Sequence, residues 1–152
     1  MDHRHWLQQA VQLAIDNVTR GHGGPFGAVV VREGEMIGQG VNESAQLHDP
    51  TAHAEIQAIR QACRHLATST LDGAILYASG EPCPMCLAAA YWANIRAIYV
   101  ACPKAEAVKI GYPDKLAAFF ADLKKVPEAR SIPVYTLMVD GYLEPFERWK
   151  KR

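Results

Sequence analysis

The chain has 152 residues, 49% of them apolar, and its 16 Lys plus Arg balance 16 Asp plus Glu for a formal net charge of zero. That length suits one domain, which buries roughly 68–70% of its unfolded surface and needs no covalent staples. Low hydrophobicity and high net charge, the marks of disorder, are both missing, and balanced charge argues against a protein built mainly to hold nucleic acid or an acidic membrane.

Met1 to Trp6 is polar, carries two histidines and is followed by no leader-like apolar stretch. No run of about 18 apolar residues occurs, so no membrane-spanning helix is predicted. Both observations predict a reducing, cytoplasmic compartment, where the four cysteines serve as metal ligands, nucleophiles or buried hydrophobes. Leu7, Ala10, Val11, Ala14, Ile15 and Val18 recur at helical spacing, and Gly21 with Gly23-Gly24-Pro25 ends that helix. Ala28 to Val31 and Met36 to Val41 are short apolar runs around Glu33-Gly34, the pattern of a hairpin. The polar stretch Asn42 to Ala52, with Asp49-Pro50, is a loop and not a domain linker. Ala54 to Leu66 is helical, with Ile56, Ile59, Ala62 and Cys63 on one face.

Ala74 to Ala78 then reads as a strand, Met85 to Ala93 as an Ala-rich helix and Ile95 to Val100 as a strand. A helix over Lys115 to Lys124, a strand over Pro133 to Val139 and a helix over Glu144 to Lys150 complete the chain. Alternation of strand and helix after the opening hairpin predicts a layered α/β sheet.

Two segments carry chemistry: Thr51-Ala52-His53-Ala54-Glu55 enters the second helix, and Pro82-Cys83-Pro84-Met85-Cys86 opens the third. Cys83 and Cys86 are three apart, so both sulfurs share one helical face and can share an ion. A helix N-terminus lowers thiol pKa values, and Pro84 suits a first helical turn. A closed structural zinc site needs four ligands, commonly from two such cysteine pairs, and only one pair exists here. Cys63 and Cys102 stand alone and read as small core residues. With His53 the count reaches three, leaving one open position, the arrangement of a catalytic zinc. Residues two apart point to opposite sides of a regular helix, so His53 belongs at the helix entrance, where Glu55 can stand beside the metal-bound water. Two thiolates offset the charge of the dication, and a carboxylate that takes the water's proton compensates. This pairing is the signature of zinc base deaminases, with the glutamate as acid/base and not a ligand.

The sequence resembles the cytidine-deaminase-like superfamily over nearly its whole length. The resemblance rests on Gly23-Gly24-Pro25-Phe26-Gly27-Ala28, Asn42, Asp49 to Glu55, Glu81 to Cys86 and Tyr91-Trp92-Ala93. It implies a three-layer α/β/α fold around a five-stranded mixed sheet, with residues 1–152 forming one zinc-dependent deaminase domain. It further implies one zinc per subunit, a cytoplasmic homodimer able to exchange its C-terminal helix (about 144–150), and hydrolysis of a ring amino group with release of ammonia. By position Glu55 matches the proton shuttle, and His53, Cys83 and Cys86 match the metal ligands. Asn42 matches a hydrogen-bonding partner of the base, Phe26 and Trp92 match aromatic walls, and Ala54 belongs to the same substrate-binding set. Asp114, in Gly111-Tyr112-Pro113-Asp114, matches an acidic residue that guanine-acting members direct at the purine's amidine edge; its competing role is to cap the helix that follows.

Guanine, converted to xanthine, is thus the leading substrate. Guanine-acting members carry a further C-terminal stretch whose aromatic closes over the site. Here the sequence ends at Lys150-Lys151-Arg152, so any such aromatic would have to be Tyr142, Phe146 or Trp149, whose competing role is to pack the terminal helix. Another aminopurine, an aminopyrimidine, a nucleoside or an aminotriazine stays open. A tRNA adenosine deaminase would need phosphate contacts, against which the balanced charge argues, since the only basic cluster is Arg148 to Arg152. A zinc-stabilised binding module has no use for Glu55 beside an open metal position. The expected partner is a small nucleobase, without nucleic acid or membrane.

Overall fold

The computed structural model describes residues 2–21 and 23–152; Met1 and His22 lie outside the described residues. Four strands form one mixed sheet in the order β2-β1-β3-β4: β1 (Gly27–Arg32), β2 (Glu35–Val41), β3 (Ile75–Gly80) and β4 (Ala97–Cys102). β1 and β2 form the expected hairpin, with Glu33 and Gly34 both at positive φ, as a two-residue turn of the primed type requires. On its other side β1 pairs antiparallel with β3, and β3 pairs parallel with β4. A parallel pair needs a crossover, which helix α3 (Pro84–Trp92) supplies.

Alternate side chains of the strands feed two cores. Val29, Val31, Ile75 and Tyr77 face helix α1 (His3–Thr19) through Ala10, with Trp6, Leu7 and Leu13 packed around them. Ala28, Val30 and Leu76 face the opposite way, toward Ala54, Ala58 and Ala62 of helix α2 (Ala54–Leu66) and Ala93 beyond α3. The result is the expected α/β/α layering. Two glycines let helix and strand backbones touch. A Cβ on Gly27 would lie 2.3 Å from the Ala10 carbonyl oxygen, and one on Gly40 only 2.5 Å from that of Ala54. The first residue of α2 is therefore seated directly on β2.

The chain divides into two units, Met1–Pro113 and Asp114–Arg152. The first holds the sheet, α1 to α3 and a short helix α4 (Lys104–Lys109) that periodicity did not predict. The second holds α5 (Phe119–Leu123) and α6 (Glu144–Lys151), and none of its residues is buried. Three expectations change. The sheet has four strands and not five, because Pro133 to Val139 forms no ladder. Its β-rich composition is only a preference for a pleated, half-buried surface, and Leu137, Met138 and Val139 are all exposed. The helix expected over Lys115 to Lys124 shrinks to α5, after a turn at residues 115–118. β4 starts at Ala97 instead of Ile95, because Asn94 takes positive φ and Ile95 donates back to the Ala90 carbonyl to finish α3. The terminal helix falls where expected. No helix among the described residues is long and apolar enough to cross a membrane.

Candidate active site

Two helix entrances meet above the sheet. His53 precedes α2 with extended backbone (φ −70, ψ 158), and Cys83 precedes α3 in the same conformation (φ −73, ψ 169). Extended residues at a helix start aim their side chains off the helical path, which frees His53 from the spacing rule that would oppose it to Glu55. The loop delivering His53 is braced. The Asp49 carboxylate accepts from the Thr51 amide at 2.8 Å and its hydroxyl at 2.6 Å. Those bonds hold the Asp49 carboxyl below its usual range. Arg60, two turns into α2, reaches back to the Thr51 hydroxyl at 3.1 Å and to Gln57 at 2.9 Å. Pro84 in the first turn of α3 then brings Cys86, one turn in and buried, beside Cys83.

The three ligand atoms form a nearly equilateral triangle. His53 Nδ1 lies 3.6 Å from each sulfur, and the sulfurs are 3.7 Å apart. A tetrahedral zinc with ordinary bond lengths sets its ligands at roughly 3.6 Å (N to S) and roughly 3.8 Å (S to S). The chain's own side chains thus fit that ion, through Nδ1 of the imidazole, with a fourth position for a small molecule. Among the described residues this is the sole cluster of such groups. The Cys86 thiol and the His53 ring together hold the Cys83 thiol down at about 4. Pairing with Cys83 and burial push Cys86 up, and the Cys83 sulfur raises His53. Only Cys83 is thus favoured as a thiolate by the protein alone; a bound metal would draw the proton from Cys86 as well.

Glu55, in the first turn of α2, is 5% exposed. Its carboxyl pairs with Cys86 and lies within electrostatic reach of His53 and Cys83. Burial pushes its pKa up.

The remaining expected residues divide. Asn42, at the end of β2, accepts the Ser44 amide on Oδ1 at 3.1 Å, a turn-forming bond that orients its side chain. Phe26 is half-buried against the α2 core and meets Tyr112 edge-on, with ring centroids 5.2 Å apart. Ala54 is fully buried under the entrance of α2. Trp92 points outward from α3 and is 86% exposed, flanked by Tyr91 at 85%. With Leu87 and Ala88 these two line a shallow apolar groove. Asp114 is exposed and opens the second unit; α5 is preceded by Ala118, so Asp114 does not cap it. Cys63 packs against the α2 core as expected, and Cys102 ends β4 half-buried. Sequence reasoning missed Ser79, whose buried hydroxyl accepts the Gly27 amide. It also missed Asn17, although this polar residue falls in helical register with Ala10 and Ala14, a signal that was there to find.

A metal tripod at paired helix entrances with a buried glutamate beside it defines a zinc deaminase. The chain belongs to the cytidine and deoxycytidylate deaminase family, whose zinc-binding region matches residues 1–102. It is 44% identical to guanine deaminase of Bacillus subtilis over 150 residues, covering 99% of this chain and 95% of that protein. The X-ray structure of guanine deaminase from Bacillus subtilis matches with a TM-score of 0.92 at 43% identity, covering 100% of this chain and 96% of that one. A tRNA-specific adenosine deaminase of Agrobacterium fabrum is 47% identical over 89 residues, covering 57% of this chain and 59% of that protein.

Proposed function

We propose that the protein hydrolyses guanine to xanthine and ammonia. The His53–Cys83–Cys86 triangle with buried Glu55 against it is the observation that carries deamination. Similarity to a guanine deaminase along 99% of the chain supports the choice of base, whereas similarity to the tRNA deaminase reaches 57%. A net charge of zero also suits a small neutral base better than a polynucleotide.

Bound by His53, Cys83 and Cys86, zinc supplies a Lewis acid that makes water acidic near neutral pH. Glu55 takes a proton from the attacking water as its oxygen adds to the amino-bearing ring carbon. The same carboxyl delivers a proton to the ring nitrogen and then helps protonate the departing amino group. Water adds, ammonia leaves and the ring carbonyl remains. Asn42 binds the base edge through its amide, with Oδ1 steadied by Ser44, and Phe26 offers an apolar ring contact. Asp114 serves the amidine edge, where a carboxylate meets adjacent N–H donors in charge-assisted bonds. Trp92 and Ala54 complete the substrate-binding set.

Residues 1–152 act as one catalytic domain, in the cytoplasm, as a homodimer exchanging its C-terminal helix. Exposure of Ile132, Leu137, Met138, Phe146 and Trp149 supports that assembly, since such residues ordinarily gain a cover. The test is ammonia release from guanine, guanosine, adenine, cytosine, isocytosine and an aminotriazine, by wild type and Glu55→Ala. Equal release from guanine by both proteins would end the proposed mechanism, and preference for another base would replace the substrate.

A further inference from the structure

The geometry points to Asn17 as a positioning residue for the base: its amide ties together the two segments that carry Phe26 and Asn42. This inference rests on the reading of those two residues as base contacts. Asn17 lies near the end of α1 and is only 6% exposed. A buried amide is costly unless its hydrogens are used, and both are. Nδ2 donates to the Gly24 carbonyl at 3.0 Å and to the Asn42 carbonyl at 3.0 Å. The amide is thus a two-pronged clamp between segments 18 residues apart in sequence, Gly24 and Asn42.

Two further bonds turn the clamp into a closed circuit. The Gly24 carbonyl also accepts the Phe26 amide at 2.8 Å, and the Asn42 amide donates to the Phe26 carbonyl at 3.3 Å. Asn42 is therefore held on its N–H side by Phe26, on its carbonyl side by Asn17, and at Oδ1 by Ser44. Its Nδ2 is aimed by three constraints, of which Asn17 supplies the one from another layer of the fold. The junction is also tight. A Cβ on Gly23 would lie 2.3 Å from the Asn42 carbonyl oxygen and 3.0 Å from Asn17 Nδ2. Asn17 makes no bond to the metal ligands or Glu55 in this network, so its effect should fall on base binding and not on zinc or proton transfer.

The experiment compares Asn17→Asp, Asn17→Ser and Asn42→Ala with wild type for KM and kcat of ammonia release, zinc content and melting temperature. Asn17→Asp keeps the shape and removes both donors. The expected result is a KM raised about tenfold or more with kcat within about threefold of wild type and full zinc, the pattern of lost uniform binding. Asn17→Ser keeps one donor, gives an intermediate KM and serves where the aspartate variant does not fold. Combining Asn17→Asp with Asn42→Ala adds little to Asn42→Ala alone, because the two act through one contact. A lowered melting temperature with wild-type KM in both Asn17 variants overturns the inference and leaves a structural clamp. An impaired Asn42→Ala beside unimpaired Asn17 variants overturns it while sparing the base-contact reading. Wild-type KM in Asn42→Ala overturns both together.

Discussion

Residues before and after position 114 use apolar side chains in opposite ways. In the first unit the apolar positions of α1, α2, β1 and β3 fill two cores, and β3 is buried from Ile75 to Ser79. In the second, Ile132, Leu137, Met138, Phe146 and Trp149 stay more than half exposed. Both stretches show the periodicities of helices and strands. Periodicity announces a face in search of cover, and only in the first unit is that cover a sheet from the same unit. Changes in the first unit should therefore act within one chain, and changes in the second should act through association.

The largest break is at the metal. Stripping zinc with a chelator, or changing Cys86 to Ser, should abolish ammonia release and lower the melting temperature, because ligand binding energy becomes folding energy. Metal analysis beside calorimetry checks this. An active, zinc-free Cys86→Ser protein would remove the tripod from the reaction. Next in size is Glu55→Gln, expected to cut kcat by about 10²–10⁴, the range of a lost general acid/base. Zinc content should not change, since Glu55 is not among the three clustered ligands.

A smaller effect tests the seating of α2. Gly40→Ala sets a Cβ 2.5 Å from the Ala54 carbonyl oxygen and 2.6 Å from the Ala58 nitrogen, both backbone atoms that cannot swing aside. Overpacking of this kind costs about 1–3 kcal/mol. Because the entrance of α2 carries His53, zinc affinity measured by chelator competition should weaken as the melting temperature falls. Loss of stability with unchanged zinc affinity would separate helix seating from ligand placement.

How far the sequence was legible follows the same division. The body of α2 was readable because alanines and isoleucines at helical spacing follow a polar loop, and the expected ends match Ala54–Leu66, although its stop at Ala67 uses a positive φ that an alanine does not announce. The tripod was readable because Cys83 and Cys86 sit one turn apart and Pro84 marks the helix start. Asn17's place in register with Ala10 and Ala14 was legible, but its role was not, since its partners are backbone carbonyls, and carbonyls have no sequence signature. The strand expected over Pro133 to Val139 failed for another reason: residue preference supplies a face but not the neighbouring strand that completes a ladder. The helix expected over Lys115 to Lys124 had no buried stripe to hold its first turns, and residues 115–118 settled into a turn.

Association effects in the second unit come next. Phe146 is 68% exposed on α6, one turn before Trp149. If a second copy covers it, Phe146→Ser removes about 1.5–3 kcal/mol of burial from each subunit, and the two together weaken the dimer roughly 10²- to 10⁴-fold. Sedimentation over a dilution series measures that shift. A large fall in the melting temperature of the dissociated chain, without a change in association, would mean that the two units are less different than they look.

The smallest effect belongs to the second unit's best polar contact. Arg148 donates through Nε at 3.0 Å and through a terminal nitrogen at 2.6 Å to the same oxygen of Glu144, one turn earlier on α6. Glutamate before arginine at this spacing also follows the helix dipole, so the order of the pair is the favourable one. Both side chains are nonetheless mostly in water, where pairing gains little over hydration and salt screens what remains. Arg148→Ala should therefore cost at most about 0.5 kcal/mol, and less in high salt. Helicity and association measured at two salt concentrations check this. A cost of several times that size, insensitive to salt, would mean that α6 is held by its own charges. A near-zero cost leaves Phe146 and Trp149 as the side chains that decide where α6 docks.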